Sequence, residues 1–339
     1  MINKFYETLK EIIKKNYLYI SFIFVMLAAC LAPLPYYIYS GGGTLNVDKK
    51  VKIEDSYKGT GSFNLCYVTE IRATLPTYLL AKILPSWDLT PKEEIALNEE
   101  ETDKDVYTRD RIFLDDANVN AIHLAYQKAG KDFTVTKTNH YVIYIDENAN
   151  TDLKIGDIIK TVDQQVISSL AEIKEIVSKK EVGEQISFIV ERNKKIKECY
   201  ATVYEISGDK YVGLSMQTTY DYDTNPDIKL NFSNNESGPS GGLLLTLSIY
   251  NHLIEEDITH GMKIAGTGTI DWDGNVGAIG GVKYKLNGAV RNKADVFIVP
   301  NGENYEEAIA LQKKYNYKIK IIGVSTLEEA LEKLEEMSK

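Results

Sequence analysis

A serine flanked by glycines lies directly ahead of an apolar helical pattern. The string SGPSGG occupies residues 237–242 and is followed by LLLTLSIYNHLIEE. Backbone N–H groups at a helix start have no intrahelical acceptor, so they can hold a developing oxyanion. Glycines such as Gly238 and Gly241 let a substrate backbone approach closely. Ser240 is therefore a candidate nucleophile, and a helix-capping serine is the alternative because serine is a common N-cap residue.

A serine nucleophile needs a base, and a lysine supplies one when burial lowers its pKa enough to leave the amine neutral. A glycine-rich turn precedes a predicted helix over 282–292. On that helix Lys285 shares a face with Val282 and Ala289, whereas Lys283 points elsewhere. We therefore expect Lys285 to be buried, and the alternative is that its ammonium reaches water along the protein surface.

The histidines are weaker candidates for the base. His252 lies twelve residues after Ser240 on the same predicted helix, which places it roughly 18 Å away at 1.5 Å per residue. His260 has no acidic residue beside it that would orient its ring, although it stays an alternative base. The four histidines and three cysteines show no metal-ligand spacing, so no metal or other cofactor is predicted.

Three short motifs occur in a fixed order between residues 238 and 285: Gly-Pro-Ser-x-Gly, Thr-Gly-x-Ile and Gly-Gly-x-Lys-x-Lys. This combination resembles the proteolytic domain of the Lon (S16) serine peptidases, over about residues 210 to 339. The resemblance implies a catalytic dyad of Ser240 and Lys285, the same lysine that the helix face favours. It also implies that the hydroxyl of Thr267 helps to orient the lysine amine.

Two residues depart from the pattern of that family. Gly241 stands after the serine, where alanine is usual, and Ser237 stands three positions before it, where an acidic residue is frequent. Gly241 is small like alanine, so we expect little loss there. The serine at position 237 is expected to alter the activation of the protease. Both dyad positions, 240 and 285, are still occupied.

The N-terminal region contains an apolar segment long enough to span a membrane. Residues 17–39 carry no charge, and tyrosines mark both ends of the segment, as in an aromatic belt. Lysines precede it, so the positive-inside rule places the N-terminus in the cytoplasm and everything after residue 40 outside. A cleaved signal peptide and a lipoprotein cleavage box at Leu27–Cys30 are the alternatives.

A β-rich block over about residues 135–206 resembles a PDZ domain. Its most specific string is Leu153-x-x-Gly156-Asp157-x-Ile159, in which the glycine is expected to make a tight turn that the aspartate caps. The resemblance implies that an extended peptide binds beside an edge strand. The loop that would hold a peptide carboxylate is expected near 137–140, and it lacks the usual glycine.

The composition excludes several classes of function. The formal net charge is −10, which argues against a nucleic-acid partner. No P-loop is present, so the chain carries no sign of its own ATPase. The three cysteines are expected to be free thiols, and a disulfide between Cys66 and Cys199 in an oxidising compartment is the alternative. The highly charged stretch over 91–110 is expected to be a solvated helix or loop.

The arrangement of anchor, PDZ block and Lon-type domain without an ATPase resembles the PDZ-containing Lon-like proteases of Gram-positive bacteria. The predicted fold class is α+β. The predicted parts are a cytoplasmic N-terminus (1–16), a transmembrane helix (17–39), a connecting α+β region (40–130), a PDZ domain (131–207) and a Lon-type proteolytic α/β domain (208–339).

The resemblance implies an ATP-independent serine endopeptidase in the cell membrane that cleaves extracellular or surface proteins or peptides. The PDZ domain would engage substrate or regulate access to the site, and the oligomeric state stays open. The alternative is a surface adaptor whose protease domain is inert.

Overall fold

The computed structural model describes residues 2–98 and 100–337. The helices are α1 Ile2–Leu31, α2 Leu75–Ile83, α3 Asp103–Lys128, α4 Leu170–Ser178, α5 Gly242–Leu253, α6 Val282–Arg291, α7 Glu303–Tyr315 and α8 Leu327–Glu336, with a 3-10 helix at Lys92–Glu94. The strands are β1 Pro33–Asn46, β2 Val51–Ile53, β3 Ser62–Thr74, β4 Trp87–Pro91, β5 Asp132–Ile145, β6 Ile158–Val162, β7 Gln165–Val166, β8 Gln185–Arg192, β9 Lys195–Thr202, β10 Tyr204–Ile206, β11 Asp209–Tyr211, β12 Leu214–Asn225, β13 Ile228–Leu230, β14 Lys263–Gly266, β15 Thr269–Ile270, β16 Val276–Gly277, β17 Val296–Pro300 and β18 Lys320–Val324.

The chain divides into two compact units. The first consists of the described residues up to Gly41 together with Thr69–Ile95, and the second consists of Gly42–Val68 and the described residues from 96 onward. The first unit contains α1, α2, β4 and the outer ends of β1 and β3. Its small core gathers Ile38, Ala73 and Ala81.

The apolar N-terminal segment is a helix over only part of the predicted range. Helix α1 ends at Leu31, and residues 33–39 belong to β1, which pairs antiparallel with β4. The prediction of a transmembrane helix over 17–39 is thus wrong for residues 33–39, which form part of a strand. Pro33 and Pro35 explain the difference, because proline removes a helical hydrogen bond and clashes with the preceding turn. The segment Phe5–Leu31 remains long and apolar enough to cross a membrane, with a mean hydropathy of 1.5.

A mostly parallel sheet organises the second unit. Strands β3, β14, β17 and β18 lie side by side and run in the same direction. Alternate side chains point to opposite faces of a sheet. Phe297 and Val299 accordingly join a core with α6 and α7, whereas Val296 and Ile298 join the core formed with α3, α5 and α8. The result is a three-layer α/β architecture, as predicted for the Lon-type domain, and together with the β-rich domain it gives a chain of mixed helices and strands.

A second sheet, in the order β12-β5-β6-β8-β9, forms the β-rich domain with α4 beside it. Its turn matches the sequence expectation: Gly156 has a φ of 92°, and the Asp157 carboxylate accepts the Lys154 N–H at 2.8 Å. Asp157 is fully buried and also accepts two hydrogen bonds of 2.6 Å from Arg192. This ion pair fixes the turn onto β8.

The strand before that turn is long. Strand β5 begins at Asp132 and pairs with β12 along its whole length. The carboxylate-binding loop expected near 137–140 is therefore wrong, since these residues lie inside the ladder. A continuous ladder forms because β12 offers backbone partners to every residue of this stretch.

The region predicted as a connector contributes directly to the second unit. Strand β2 pairs with β13, and β3 pairs with β14. Helix α3 packs against α5. The charged stretch over 91–110 was expected to be solvated, yet Glu101 and Arg109 are buried and form an ion pair. Mutual pairing makes the burial of both charges tolerable.

Candidate active site

Ser240 lies in the turn that opens α5. The Gly242 N–H donates to the Pro239 carbonyl at 3.1 Å, which closes the turn around the serine. Just ahead, Gly238 adopts a φ of 85°, a left-handed conformation that favours glycine. Its N–H donates to the Asp110 carbonyl of α3 at 3.1 Å. Glycine at this position therefore lets the chain turn away from α3 and present Ser240.

Helix α3 and the turn before β2 hold the loop that leads to the serine. The Tyr107 hydroxyl donates to the Asn234 carbonyl, and the Arg111 guanidinium donates to the Glu236 carbonyl at 2.8 Å. The Glu236 carboxylate in turn pairs with the Lys50 ammonium at 2.8 Å. Sequence reasoning missed these contacts. The charge pattern around residues 107–111 gave no sign of its distant partners.

Lys285 is the buried lysine of α6, as its helical position predicts. It is 4% exposed, while Val282 and Ala289 on the same face are fully buried. Lys283 is half-buried, and its ammonium lies 5.0 Å from the centre of the Tyr284 ring. The two lysines of the Gly-Gly-x-Lys-x-Lys motif thus occupy different environments.

Burial lowers the pKa of Lys285 from 10.5 to about 8, because the ammonium loses its hydration. The buried thiol of Cys66 in β3 interacts electrostatically with this lysine. Burial raises the pKa of Cys66 to about 12, so the thiol is neutral at physiological pH. All three cysteines are free, as expected. The sequence gave no signal that Cys66 would lie beside Lys285.

Thr267 connects the lysine to the serine loop. The Lys285 ammonium donates to the Thr267 hydroxyl at 3.1 Å, and that hydroxyl donates to the Ser240 carbonyl at 3.0 Å. The Gly268 N–H donates to the same carbonyl at 2.8 Å. Thr267 follows the end of β14 and is fully buried, with its N–H bonded to the Ile298 carbonyl. The sheet therefore fixes the hydroxyl that Lys285 and Ser240 share.

Within the described part of the chain, no hydrogen bond engages the Ser240 hydroxyl or the N–H groups of Ser240 and Gly241. Free N–H groups beside a candidate nucleophile are what an oxyanion requires. The His252 ring is hydrogen-bonded to the Ser248 carbonyl at 2.7 Å. No hydrogen bond joins the His260 ring to Ser240 among the described residues.

The glycines after the serine are packed closely. A Cβ atom at Gly241 would lie 2.7 Å from the Leu65 side chain, and one at Gly242 would lie 2.9 Å from Ile270. An alanine in place of Gly241 would therefore require Leu65 to move. The neighbour is the end of a flexible side chain, so a shift of Leu65 would accommodate the methyl group.

Comparison with known families assigns the two domains. The model of the Lon protease (S16) C-terminal proteolytic domain matches residues 220–336, and the model of the PDZ domain matches residues 128–203. The chain combines a PDZ domain with a Lon-type proteolytic domain. Ser240, Thr267 and Lys285 all lie in the Lon-type domain. The finer boundaries of the predicted parts stay predictions.

Lon proteases from several bacteria are similar to part of this chain. The "Lon protease" of Desulfatibacillum aliphaticivorans is 34% identical over 98 residues, covering 29% of this chain and 12% of that protein. "Lon protease 2" of Borreliella burgdorferi is 28% identical over 123 residues, covering 35% of this chain and 15% of that protein. The chain thus matches only a small part of the length of these relatives.

Solved structures of PDZ domains match about a quarter of this chain. The PDZ domain of an SdrC-like protein from Listeria monocytogenes is 19% identical, covers 24% of this chain and 92% of that chain, and has a TM-score of 0.22. The PDZ domain of an SdrC-like protein from Listeria innocua is 22% identical, covers 23% of this chain and 92% of that chain, and also has a TM-score of 0.22.

Proposed function

We propose that this protein is a membrane-anchored, ATP-independent serine endopeptidase with a Ser240–Lys285 dyad. The observation that carries the proposal is the pair of hydrogen bonds at Thr267, one from the buried Lys285 ammonium and one to the Ser240 carbonyl. A buried lysine is costly to a fold unless it has a partner or a task. Its placement against the loop of a candidate nucleophile supplies the task.

In the proposed reaction the Ser240 hydroxyl attacks the carbonyl carbon of a peptide bond. Neutral Lys285 accepts the hydroxyl proton and later gives it to the leaving amine. The N–H groups of Ser240 and Gly241 hold the oxyanion of the tetrahedral intermediate. Water then hydrolyses the acyl-enzyme, again with Lys285 as the base. The Ser240 side chain turns towards Lys285 as substrate binds, since catalytic hydrogen bonds often tighten only in the complex.

The lowered pKa of Lys285 makes it a usable base. With a pKa of about 8, roughly a tenth of the molecules hold a neutral amine at pH 7. A lysine with an ordinary pKa of 10.5 would be neutral in fewer than about one molecule in a thousand. Burial of Lys285 therefore raises the population of competent enzyme by more than about a hundredfold.

The other parts of the chain suggest where and on what the enzyme acts. The apolar segment Phe5–Leu31 anchors the protein in the cell membrane, with the PDZ and Lon-type domains on the extracellular side. A PDZ domain engages extended peptide segments, so proteins or peptides at the cell surface are the proposed substrates. The absence of a P-loop from the sequence supports cleavage without ATP.

The test is cleavage of an unfolded protein by the detergent-solubilised full chain, with no ATP added. Wild type is compared with Ser240→Ala, Lys285→Ala and Lys283→Ala. Lys283→Ala is the matched control, because it removes a lysine from the same helix but from a half-buried position. We expect cleavage by wild type and by Lys283→Ala, and loss of nearly all turnover in the other two.

Wild-type rates from Ser240→Ala would end the proposal. If wild type fails to cleave and a serine-reactive probe fails to label it, the result would favour the alternative of an inert surface adaptor. Loss of all activity in a His260→Ala variant would indicate that His260, and not Lys285, is the base.

A further inference from the structure

Helix α2 exposes an apolar face. Its outward residues are Leu75 at 42% exposure, Leu79 at 55%, Leu80 at 47% and Ile83 at 74%. Positions 75, 79 and 83 follow each other at four-residue spacing, so they form one stripe along the helix. Ala81 is the buried position that α2 contributes to the core of its unit. The apolar stripe of α2 is thus exposed, whereas an amphipathic helix of a soluble protein buries its apolar stripe.

This face lies beside the point where the chain leaves α1. Strand β1 begins at Pro33, two residues after α1 ends at Leu31. The rings of Tyr36 in β1 and Tyr78 in α2 are 5.2 Å apart. Helices α1 and α2 are in contact within the same unit. Helix α2 is therefore a direct neighbour of the anchor helix.

The length of α1 indicates what covers α2. Helix α1 is kinked at Asn16, where φ is −117° and ψ is 18°. The straight apolar part beyond the kink, residues 17–31, spans roughly 22 Å at 1.5 Å per residue. The hydrocarbon core of a bilayer is about 30 Å thick. A bilayer centred on this part would therefore extend roughly 4 Å past Leu31, at the end of α1 from which the chain continues into β1.

The charges around α2 suit the surface of a membrane. Between Glu70 and Asp88 the sequence contains Arg72 and Lys82 but no acidic residue, although the whole chain has a net charge of −10. The Lys82 ammonium lies 5.3 Å from the centre of the Tyr78 ring. Basic and aromatic side chains beside an apolar face are typical of helices at the membrane interface.

We propose that the outward face of α2 is a second membrane contact, with Leu79 and Ile83 in the lipid interface of the bilayer that α1 enters. This inference rests on the proposed membrane anchor. The occupant of the surface is lipid, and a second copy of the chain or another protein is an outcome that the test separates.

The test measures the depth of single labels on the full chain in phosphatidylcholine–phosphatidylglycerol vesicles. Cys30→Ser removes the half-buried cysteine of α1, and Cys66 and Cys199 stay unlabelled because they are buried. A polarity-sensitive fluorophore is attached at Ile83→Cys in α2. Nitroxide lipids, which quench only fluorophores that touch the bilayer, report the contact.

Two further labels provide the controls. Phe24→Cys, at a residue of α1 that is 72% exposed, reports the anchor itself. Ile196→Cys is the matched control, since Ile196 is an isoleucine of the PDZ domain with 65% exposure. We expect blue-shifted emission and lipid quenching at positions 24 and 83, and neither at position 196.

The outcomes separate the anchor from the α2 surface. An unquenched label at position 24 would refute the anchor. A quenched label at position 24 with a water-exposed label at position 83 would overturn the α2 contact and leave the anchor standing. A label at position 83 that is shielded from water but not quenched by lipid would show that protein covers α2, which also overturns the proposal.

Discussion

Replacing Lys285 by methionine should stabilise the protein while abolishing cleavage. Lys285 is 4% exposed, and its pKa falls from 10.5 to about 8 on burial. Below pH 8 the folded protein must keep a poorly hydrated ammonium, which costs about 3 kcal/mol relative to the unfolded chain. Methionine has a similar length and no charge. It removes that cost but also loses the hydrogen bond to Thr267, worth about 1 kcal/mol.

The net expectation is a gain of roughly 2 kcal/mol in the free energy of unfolding at pH 7. The gain should depend on pH. Because the unfolded lysine binds its proton more tightly than the folded one, wild-type stability rises as pH increases from 8 to 10.5. At pH 10 the cost of the ammonium is only about 1 kcal/mol. The advantage of Lys285→Met should then nearly vanish.

Urea unfolding of the full chain in detergent, followed by circular dichroism at pH 7 and pH 10, measures this difference. Lys283→Met is the control, since its half-buried side chain predicts a change near zero at both pH values. A Lys285→Met protein that is less stable than wild type at pH 7 would refute the reasoning. So would a gain that is equal at pH 7 and pH 10, because it would not arise from the ammonium.

Three further predictions concern the site and its support. The kcat/KM of wild type should rise about tenfold per pH unit below the Lys285 pKa of about 8 and level off above it, and a midpoint near 6.5 would indicate a histidine base. Thr267→Val should lower kcat strongly and move that midpoint to lower pH, because the ammonium loses its acceptor, whereas Thr267→Ser should retain activity and the wild-type midpoint. Gly266→Ala should lower the free energy of unfolding by about 1–3 kcal/mol, since its Cβ would lie 2.6 Å from the Ile298 carbonyl oxygen, while Gly280→Ala, which meets nothing within 4 Å, should leave it unchanged.

The sequence predicted the local parts of the site well. The spacing of Val282, Lys285 and Ala289 depends only on helix geometry, and the structure buries all three. The turn before α5 follows from glycines around Ser240, which are likewise a local signal. The contact between Thr267 and Lys285 was predicted only through the Lon resemblance. Local patterns do not reveal it, because the two residues lie in different elements.

The errors have a common physical origin in partners that lie far along the chain. The apolar run over 17–39 has the composition of one membrane helix, yet its last residues find strand partners in β4. The stretch 137–140 has no loop because β12, about 80 residues later, supplies a ladder. Glu101 and Arg109 are buried because each neutralises the other. Composition alone does not reveal which partner a segment will meet.

Helix α3 shows why the region before the PDZ domain is part of the architecture around the candidate active site. Tyr107 and Arg111, near its start, hold the loop that leads to Ser240. Near its end, His123 stacks on Trp272 at 3.8 Å, and Trp272 belongs to the hairpin that follows Thr267. Phe133, the second residue of β5, packs edge-on against the same histidine. One helix therefore braces the serine loop, the hairpin after Thr267 and the strand that enters the PDZ domain, so its sequence is constrained by the site although it contributes no reacting group.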